Sequence, residues 1–398
     1  MDNQYTPTYK RMWNRDFCLL AIAEILLCLS CYMTFLLLPF RLCQTDFAQS
    51  EYASLTMIVF ILGICVSGFF GCWLIQRFRR NKVFSLSAIL MAATVLALSL
   101  FDTGNDIFGN NEKAIALMVV CLSGGLFFGQ AKRVLSCTLL IDKTESCHRT
   151  DANYAAIWIA RLMVVIGPML AIQLHASIPT NTFYVIGAGL AVISAMFVMA
   201  VKFPFRAPEE GLRIISIDRF FLPRGWNVAL AIALMSTAFG LMISTHLKTD
   251  FFSSVIIGFI VAIITLRFKI VRMGQYTSAA GNLCILVSML MMFLHDDIFD
   301  NTLKAMLLGI GFGLTSSEQL YKLLNHSDHC QRSTVESTYF MASDGGLFLG
   351  IALGLSIHSM HLNQVDISER TAFCLFVVAA IVCSVNALVK KRDPEHHA

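Results

Sequence analysis

The chain has 398 residues, 57% of them hydrophobic and only 14% charged, which is far more apolar surface than a soluble domain of this length buries. It reads as an all-α integral membrane protein in a lipid bilayer, and its net charge of +4 comes from Lys and Arg at the membrane surface, so it argues for topology and against nucleic acid as a partner. The 13 cysteines lie mostly inside apolar runs, with no CxxC pair and no histidine at metal-ligand spacing, so they read as small buried hydrophobes and neither a metal nor a cofactor is expected.

A span needs roughly 20 apolar residues to cross a hydrocarbon core about 30 Å thick, and twelve runs meet that need. The first six fall at 17–38, 52–75, 83–101, 114–141, 152–174 and 183–201, with Pro39 ending the first. The other six fall at 228–246, 251–266, 276–294, 305–324, 335–357 and 371–389, the run at 251–266 being short. The opening run, Phe17 to Leu38, is long enough to span and lacks a small-residue cleavage site, so it is expected to stay in the mature protein. The expected organisation is an N-terminal six-helix bundle at 1–201, a linker at 202–227 and a C-terminal six-helix bundle at 228–398. The linker mixes Arg with Ile, Phe and Leu, a composition suited to lying along the inner leaflet.

Alternate loops differ in charge. One side collects Arg15, then Arg77, Arg79, Arg80 and Lys82, then Lys143 and Arg149, then Lys202 to Arg224, Arg267, Lys322 and Arg332; the other has only Arg41, Lys113, Lys248, Lys304 and Arg370. Both termini are therefore expected to be cytoplasmic and the number of spans even.

The stretch CHRTDANYAAIWIARLMVVIGPMLA, from Cys147, lies over CQRSTVESTYFMASDGGLFLGIALG, from Cys330, placing Arg149 on Arg332, Arg161 on Asp344 and Gly167 on Gly350. A second copy in the same orientation is how parallel repeats of transporters arise, with a binding site between pseudo-symmetric halves.

Charges inside spans are expensive and mark function by default. Six stand out: Glu24, Lys132, Arg133, Arg161, Glu318 and Asp344. Counted at 1.5 Å per residue, all lie roughly 9 to 14 Å below the basic surface. Basic residues of the first half face Glu318 and Asp344 of the second, so the layer is expected to bind substrate or protons and to lock the halves, with Arg133 or Arg161 facing Glu318 or Asp344. Pairing within one half, for example Glu24 with Arg133 or Arg161, is the alternative, and the long stem of Lys132 lets it reach the interface instead. HDDIFD, His295 to Asp300, holds the DDxxD spacing (296–300) that suits Mg²⁺ and a diphosphate, but as a lone motif on the outer side it reads better as a solvated loop.

Three stretches carry a resemblance. WNRDFCLLAIAEILLCLSCYMTFLLLPF, Trp13 to Phe40, looks like the first span of drug-efflux and sugar-efflux members of the major facilitator superfamily. GCWLIQRFRRNKVF, Gly71 to Phe84, is similar to that family's G-x-x-x-D-R-x-G-R-R loop, with Arg77, Arg80 and Lys82 in register, Gln76 in place of the acidic residue and Arg79 in place of the glycine. VVIGPMLA carries Gly167 and Pro168 as in the G-x-x-x-G-P-x-x-G-G pattern of the antiporters, with Met163 and Ala171 at the flanking glycines; the two residues mark a bend or a tight crossing. The resemblance covers nearly the whole chain and implies two six-span halves, with spans 1, 4, 7 and 10 lining a central cavity. It implies a monomeric secondary transporter of a small organic solute, working by alternating access and proton-coupled efflux in a bacterial inner (plasma) membrane. It also makes Glu24, ahead of Asp344, the expected proton carrier, because efflux members often carry an acidic residue in the first span. No Walker A sequence is present to suggest ATP drive. The alternatives are a membrane-embedded enzyme on a lipid-linked substrate, resting on DDxxD, or a transporter-like sensor.

Overall fold

The structure is a computed structural model and describes residues 12–42, 50–102, 110–144, 148–203, 211, 213–216, 220–267, 275–293, 301–327, 331–359 and 364–392. The described residues form thirteen α-helices: α1 (Arg15–Thr34), α2 (Leu38–Leu42), α3 (Ser50–Arg77), α4 (Arg80–Asp102), α5 (Asn110–Val134), α6 (Arg149–Ser177), α7 (Thr180–Ala200), α8 (Trp226–Thr245), α9 (Thr249–Arg267), α10 (Gln275–Phe293), α11 (Asn301–Asn325), α12 (Arg332–Ser359) and α13 (Gln364–Arg392). All but α2 match the twelve runs read from the sequence. Nine are long and apolar enough to cross a membrane by composition alone; the apolar part of α10 is shorter, Tyr276–Met292. In lipid each backbone N–H and C=O must be satisfied within its own segment, which is why runs this apolar fold as helices.

The ends have local causes. Asn14 caps α1, its Oδ1 accepting from the Phe17 N–H at 2.8 Å, with Asp16 in the first turn. The first span breaks at Phe35, four residues before Pro39, where the proline ring would meet a helical carbonyl, and resumes as α2. Between α6 and α7, Ile178 is extended (φ −130°, ψ 154°) because it precedes Pro179. A π-helical segment, Leu135–Leu140, continues α5, a feature the sequence pattern does not announce.

Packing repeats across the halves. In the first, α1 packs on α6 and α7, α3 on α5, and α4 on α5 and α7; in the second, α8 packs on α12 and α13, α9 on α11, and α10 on α11 and α13. The crossings use the same device. Gly63 and Gly125 bring the backbones of α3 and α5 together, and Gly258 and Gly309 do so for α9 and α11. Gly167 lies against α1, where a methyl group would sit 2.8 Å from Cβ of Tyr32; its repeat partner Gly350 lies against α8, where a methyl would sit 2.9 Å from Cα of Gly240. Pro168 leaves α6 continuous from Arg149 to Ser177, so Gly167 and Pro168 mark a tight crossing.

The halves meet along α3 with α12 and α6 with α9. The spans α1 and α8 are largely enclosed, as is the inner stretch of α11 from Lys304 to Leu320. The outermost spans turn large apolar side chains outward, including Leu86 on α4, Met196 on α7, Leu283 on α10 and Ile381 on α13, as lipid-facing helices must. In the linker, Ile214 and Ile215 are exposed, but Phe220 and Leu222 are buried: Phe220 packs on Phe69 and fills the space beside Gly68, and the Leu222 N–H donates to Thr338 Oγ1 on α12 at 2.9 Å. The linker thus ties α3 to α12.

Candidate functional site

The charged residues singled out in the spans are all buried, Glu24 completely and the rest at 9% exposure or less. They fall into two groups, with Arg133 apart from both. The first joins the halves through a closed triangle: Lys132 on α5 donates from Nζ to Asp344 Oδ2 on α12 at 2.6 Å and to Tyr32 Oη on α1 at 2.8 Å, and Tyr32 Oη donates to Asp344 Oδ1 at 2.9 Å. The Lys132 ammonium also lies 4.3 Å from the ring centroid of Phe340. Above the triangle Phe35, Phe60, Phe128 and Phe348 form an aromatic layer, Phe60 of α3 meeting Phe348 of α12 at 4.6 Å between centroids. Each polar atom of the triangle has a partner, which is the condition for a buried ion pair to hold.

Glu24 sits beside this triangle. Its Oε1 accepts from Ser136 in the π segment at 2.7 Å while Oε2 is buried with no hydrogen-bond partner. The charge of Lys132 acts on it. Glu336, on the first turns of α12, is fully buried with neither oxygen hydrogen-bonded, and the charges of Glu24 and Lys132 both act on it. Placing the eleventh span at 335–357 makes Glu336 look like an entry residue, which is why sequence reasoning misses it. A signal is present, since the repeat lays Glu336 over Asn153, and Asn153 is likewise buried with both side-chain polar atoms unpartnered.

The second group centres on Arg161 of α6. Its Nε donates to Tyr339 Oη on α12 at 3.0 Å, its Nη2 reaches the same hydroxyl, and its Nη1 lies 3.4 Å from Ser317 Oγ on α11. Trp158 and Tyr339 present their ring faces to the guanidinium. Glu318 lies 3.9 Å from Lys322 one turn on, and its charge and that of Arg161 both act on Tyr154. The expectation that Arg133 or Arg161 faces Glu318 or Asp344 is therefore replaced: Asp344 takes Lys132, and Arg161 takes hydroxyl partners from the second half. The alternative pairing of Glu24 with Arg133 or Arg161 does not occur among the described residues.

Arg133 follows Lys132 by one residue, about 100° around the helix. Its Nε donates to Ser337 Oγ on α12 at 3.0 Å, its Nη1 lies 3.5 Å from Ser67 Oγ on α3, and the Phe220 ring covers the guanidinium at 5.0 Å. Lys132, Arg133, Cys137, Ser337, Phe340 and Asp344 line a cavity of about 20 Å³, room for one water. The cavity therefore draws on α3, α5 and α12, the second, fourth and eleventh spans, and shares only the fourth with the expected lining by spans 1, 4, 7 and 10.

At the basic end, where α1 begins, the α3–α4 loop is bound to its own half, Arg80 pairing with Asp142, while Arg77, Arg79 and Lys82 are exposed. The Oε1 of Gln76 is buried without a partner. Lys143 pairs with Asp16 at 2.6 Å, and across the halves Arg332 Nη1 donates to Thr150 Oγ1 at 3.3 Å. The residues of HDDIFD lie outside the described residues. No group of three or more metal-ligating side chains is found among the described residues.

Known proteins bear on the fold. Solved structures of an auto-inhibited peptide transporter of the POT family (12% identity, 94% of this chain and 97% of that one, TM-score 0.67) and of a D-xylose–proton symporter (10%, 92% and 95%, TM-score 0.63) are similar. So is that of a point mutant of the nucleoside transporter NupG (14%, 93% and 98%, TM-score 0.61). No curated protein matches. The family model described as Major Facilitator Superfamily matches residues 20–351, and with it the reading of DDxxD as an enzyme site falls, because this is a family of transporters. With two six-helix bundles, a buried charge bridge between them and that match over most of its length, the chain belongs to the major facilitator superfamily.

Proposed function

We propose that this transporter exports a small organic solute by alternating access, in exchange for protons, and that the Lys132–Tyr32–Asp344 triangle is the lock between its halves. The observation that carries the reading is a fully partnered ion pair whose members come from opposite halves and whose carboxylate a proton can neutralise. Losing the negative charge on Asp344 removes what holds Lys132, so proton uptake and release of the second half are one event. Glu24 is the carrier that feeds it: a buried carboxylate with an unpartnered oxygen is costly unless a proton neutralises it, and its charge already acts on Lys132. The basic end, with both termini, is assigned to the cytoplasm of a bacterial inner membrane from the Lys and Arg bias, and the protein works as a monomer with the residues 1–201 and 228–398 as its moving bundles. Efflux is supported by the acidic residue in the first span and the Gly167–Pro168 pattern. Arg80 ties the start of α4 to Asp142 of its own half, while the triangle, the Arg161 hydroxyl contacts, Arg133 with Ser337 and Arg332 with Thr150 join the two bundles.

A stabilisation screen of the purified protein against metabolites and drugs identifies the solute by the rise in melting temperature. With that solute in reconstituted vesicles, Glu24→Gln is expected to abolish flux driven by an imposed pH gradient while leaving the thermal stabilisation intact. Unchanged pH dependence in this variant removes Glu24 from the coupling.

A further inference from the structure

Three charges line the cavity between α3, α5 and α12, and two of them, Lys132 and Asp344, cancel. Arg133 is left over. It is 9% exposed and has no carboxylate within ion-pair distance among the described residues. Neither nearby acid answers it: Glu24 Oε1 is taken by Ser136, and Glu24 Oε2 and both oxygens of Glu336 have no hydrogen-bond partner. A buried guanidinium held by one serine at 3.0 Å and another at 3.5 Å is short of partners, since it carries five N–H donors and a full charge.

A second observation points to the same spot. Gln130, one turn earlier on α5 and 3% exposed, has both amide atoms buried without a hydrogen-bond partner. A methyl group built on Gly71 of α3 would lie 2.9 Å from Arg133 Nη1 and 3.1 Å from Gln130 Oε1, so the guanidinium and the unpartnered amide lie side by side against the same bare stretch of α3 backbone. Around Arg133 the side chains of Ile64, Phe220 and Phe340 are apolar.

We infer that Arg133, with Gln130 beside it, binds the negatively charged headgroup of the cargo, so that the solute is a monoanionic organic acid with an apolar body. Arginine is the side chain whose planar fork matches a carboxylate or a phosphate monoanion bidentately. One negative charge balances the cavity, and the aromatic and aliphatic side chains around it take the rest of the molecule. This rests on the transporter reading above, which makes the cleft between the halves the cargo site.

The test reads binding alone, so it stands whether or not flux is found. The full chain is purified in a neutral detergent and its melting temperature followed with benzoate, hexanoate or diphenyl phosphate, with the neutral benzamide, with the cationic benzylamine, and with phosphatidylglycerol. At least one soluble anion is expected to raise Tm by about 2 °C or more in a saturable way, with no effect of benzamide or benzylamine. Lys82→Met, on the exposed first turn of α4, keeps the shift; Arg133→Met loses it. Because Arg133 is an uncompensated charge, Arg133→Met without ligand melts at or above the temperature of the native protein. Arg133→Lys keeps the charge but not the fork and weakens the anion about tenfold. Stabilisation by none of the three soluble anions, by benzamide or benzylamine as well, or by phosphatidylglycerol alone overturns the inference. So does an anion shift that survives both Arg133 substitutions.

Discussion

Stranding either member of the Lys132–Asp344 pair is expected to cost about 3–5 kcal/mol and to stop transport. The two side chains are 3% and 6% exposed, so water cannot replace a lost partner, and Tyr32 Oη offers one hydrogen bond where an ion was. Lys132→Met leaves the Asp344 carboxylate with a lone tyrosine donor; Asp344→Leu leaves an ammonium among Phe128, Phe340 and the Tyr32 ring. Both single variants should melt well below the native protein. The double variant Lys132→Met/Asp344→Leu should recover most of the stability, because an apolar pair of similar volume is often as good as a buried ion pair. Flux should stay lost in the double variant, since no charge is left for a proton to switch. Should flux return together with stability, the pair is a structural brace and the lock lies elsewhere, with Arg161 and its hydroxyl partners the next place to look.

Gly350→Ala is expected to be among the most damaging methyl additions in the chain. The new group would press on the backbone carbonyl of Thr237 and lie 2.9 Å from Cα of Gly240, so α8 and α12 would have to separate along their whole crossing. Overpacking of this kind costs about 1–3 kcal/mol when side chains can yield and more when only backbone faces the intruder. The repeat supplies an internal control. At Gly167 the nearest atom is Cβ of Tyr32 at 2.8 Å, so Gly167→Ala should cost less stability yet displace the tyrosine that bridges Lys132 and Asp344. Melting curves should rank Gly350→Ala below Gly167→Ala, and transport assays of the folded protein should show Gly167→Ala impaired out of proportion to its stability. Equal melting temperatures would mean that the two crossings are equally tight and would remove the ranking.

The twelve spans are legible in the sequence because roughly 20 apolar residues in a row have few other fates. Asp344 is legible too, through the repeat and its cost inside a span. Its partner is not. Lys132 and Arg133 are adjacent and point about 100° apart, so choosing between them needs the rotation of α5, and a run of apolar residues that packs on nearly all sides carries no phase to fix that rotation. The π segment that follows, Leu135–Leu140, widens the helix just below the pair and leaves no mark in composition. Glu336 is hidden by a span boundary that hydropathy places only to within a few residues. Gln76 reads, against the family's loop pattern, as a lost clamp, and its buried, unpartnered oxygen fits that reading.

The thiol of Cys137 lines the cavity beneath Lys132 and is only 3% exposed. A thiol shut away from water and reagent reacts with maleimide only while the walls around it part, so its alkylation rate is a clock for the separation of α5 from α12, read on the native residue with no cysteine introduced. Cys28, Cys31 and Cys121 are equally buried but do not line this cavity, and should stay silent on the same timescale.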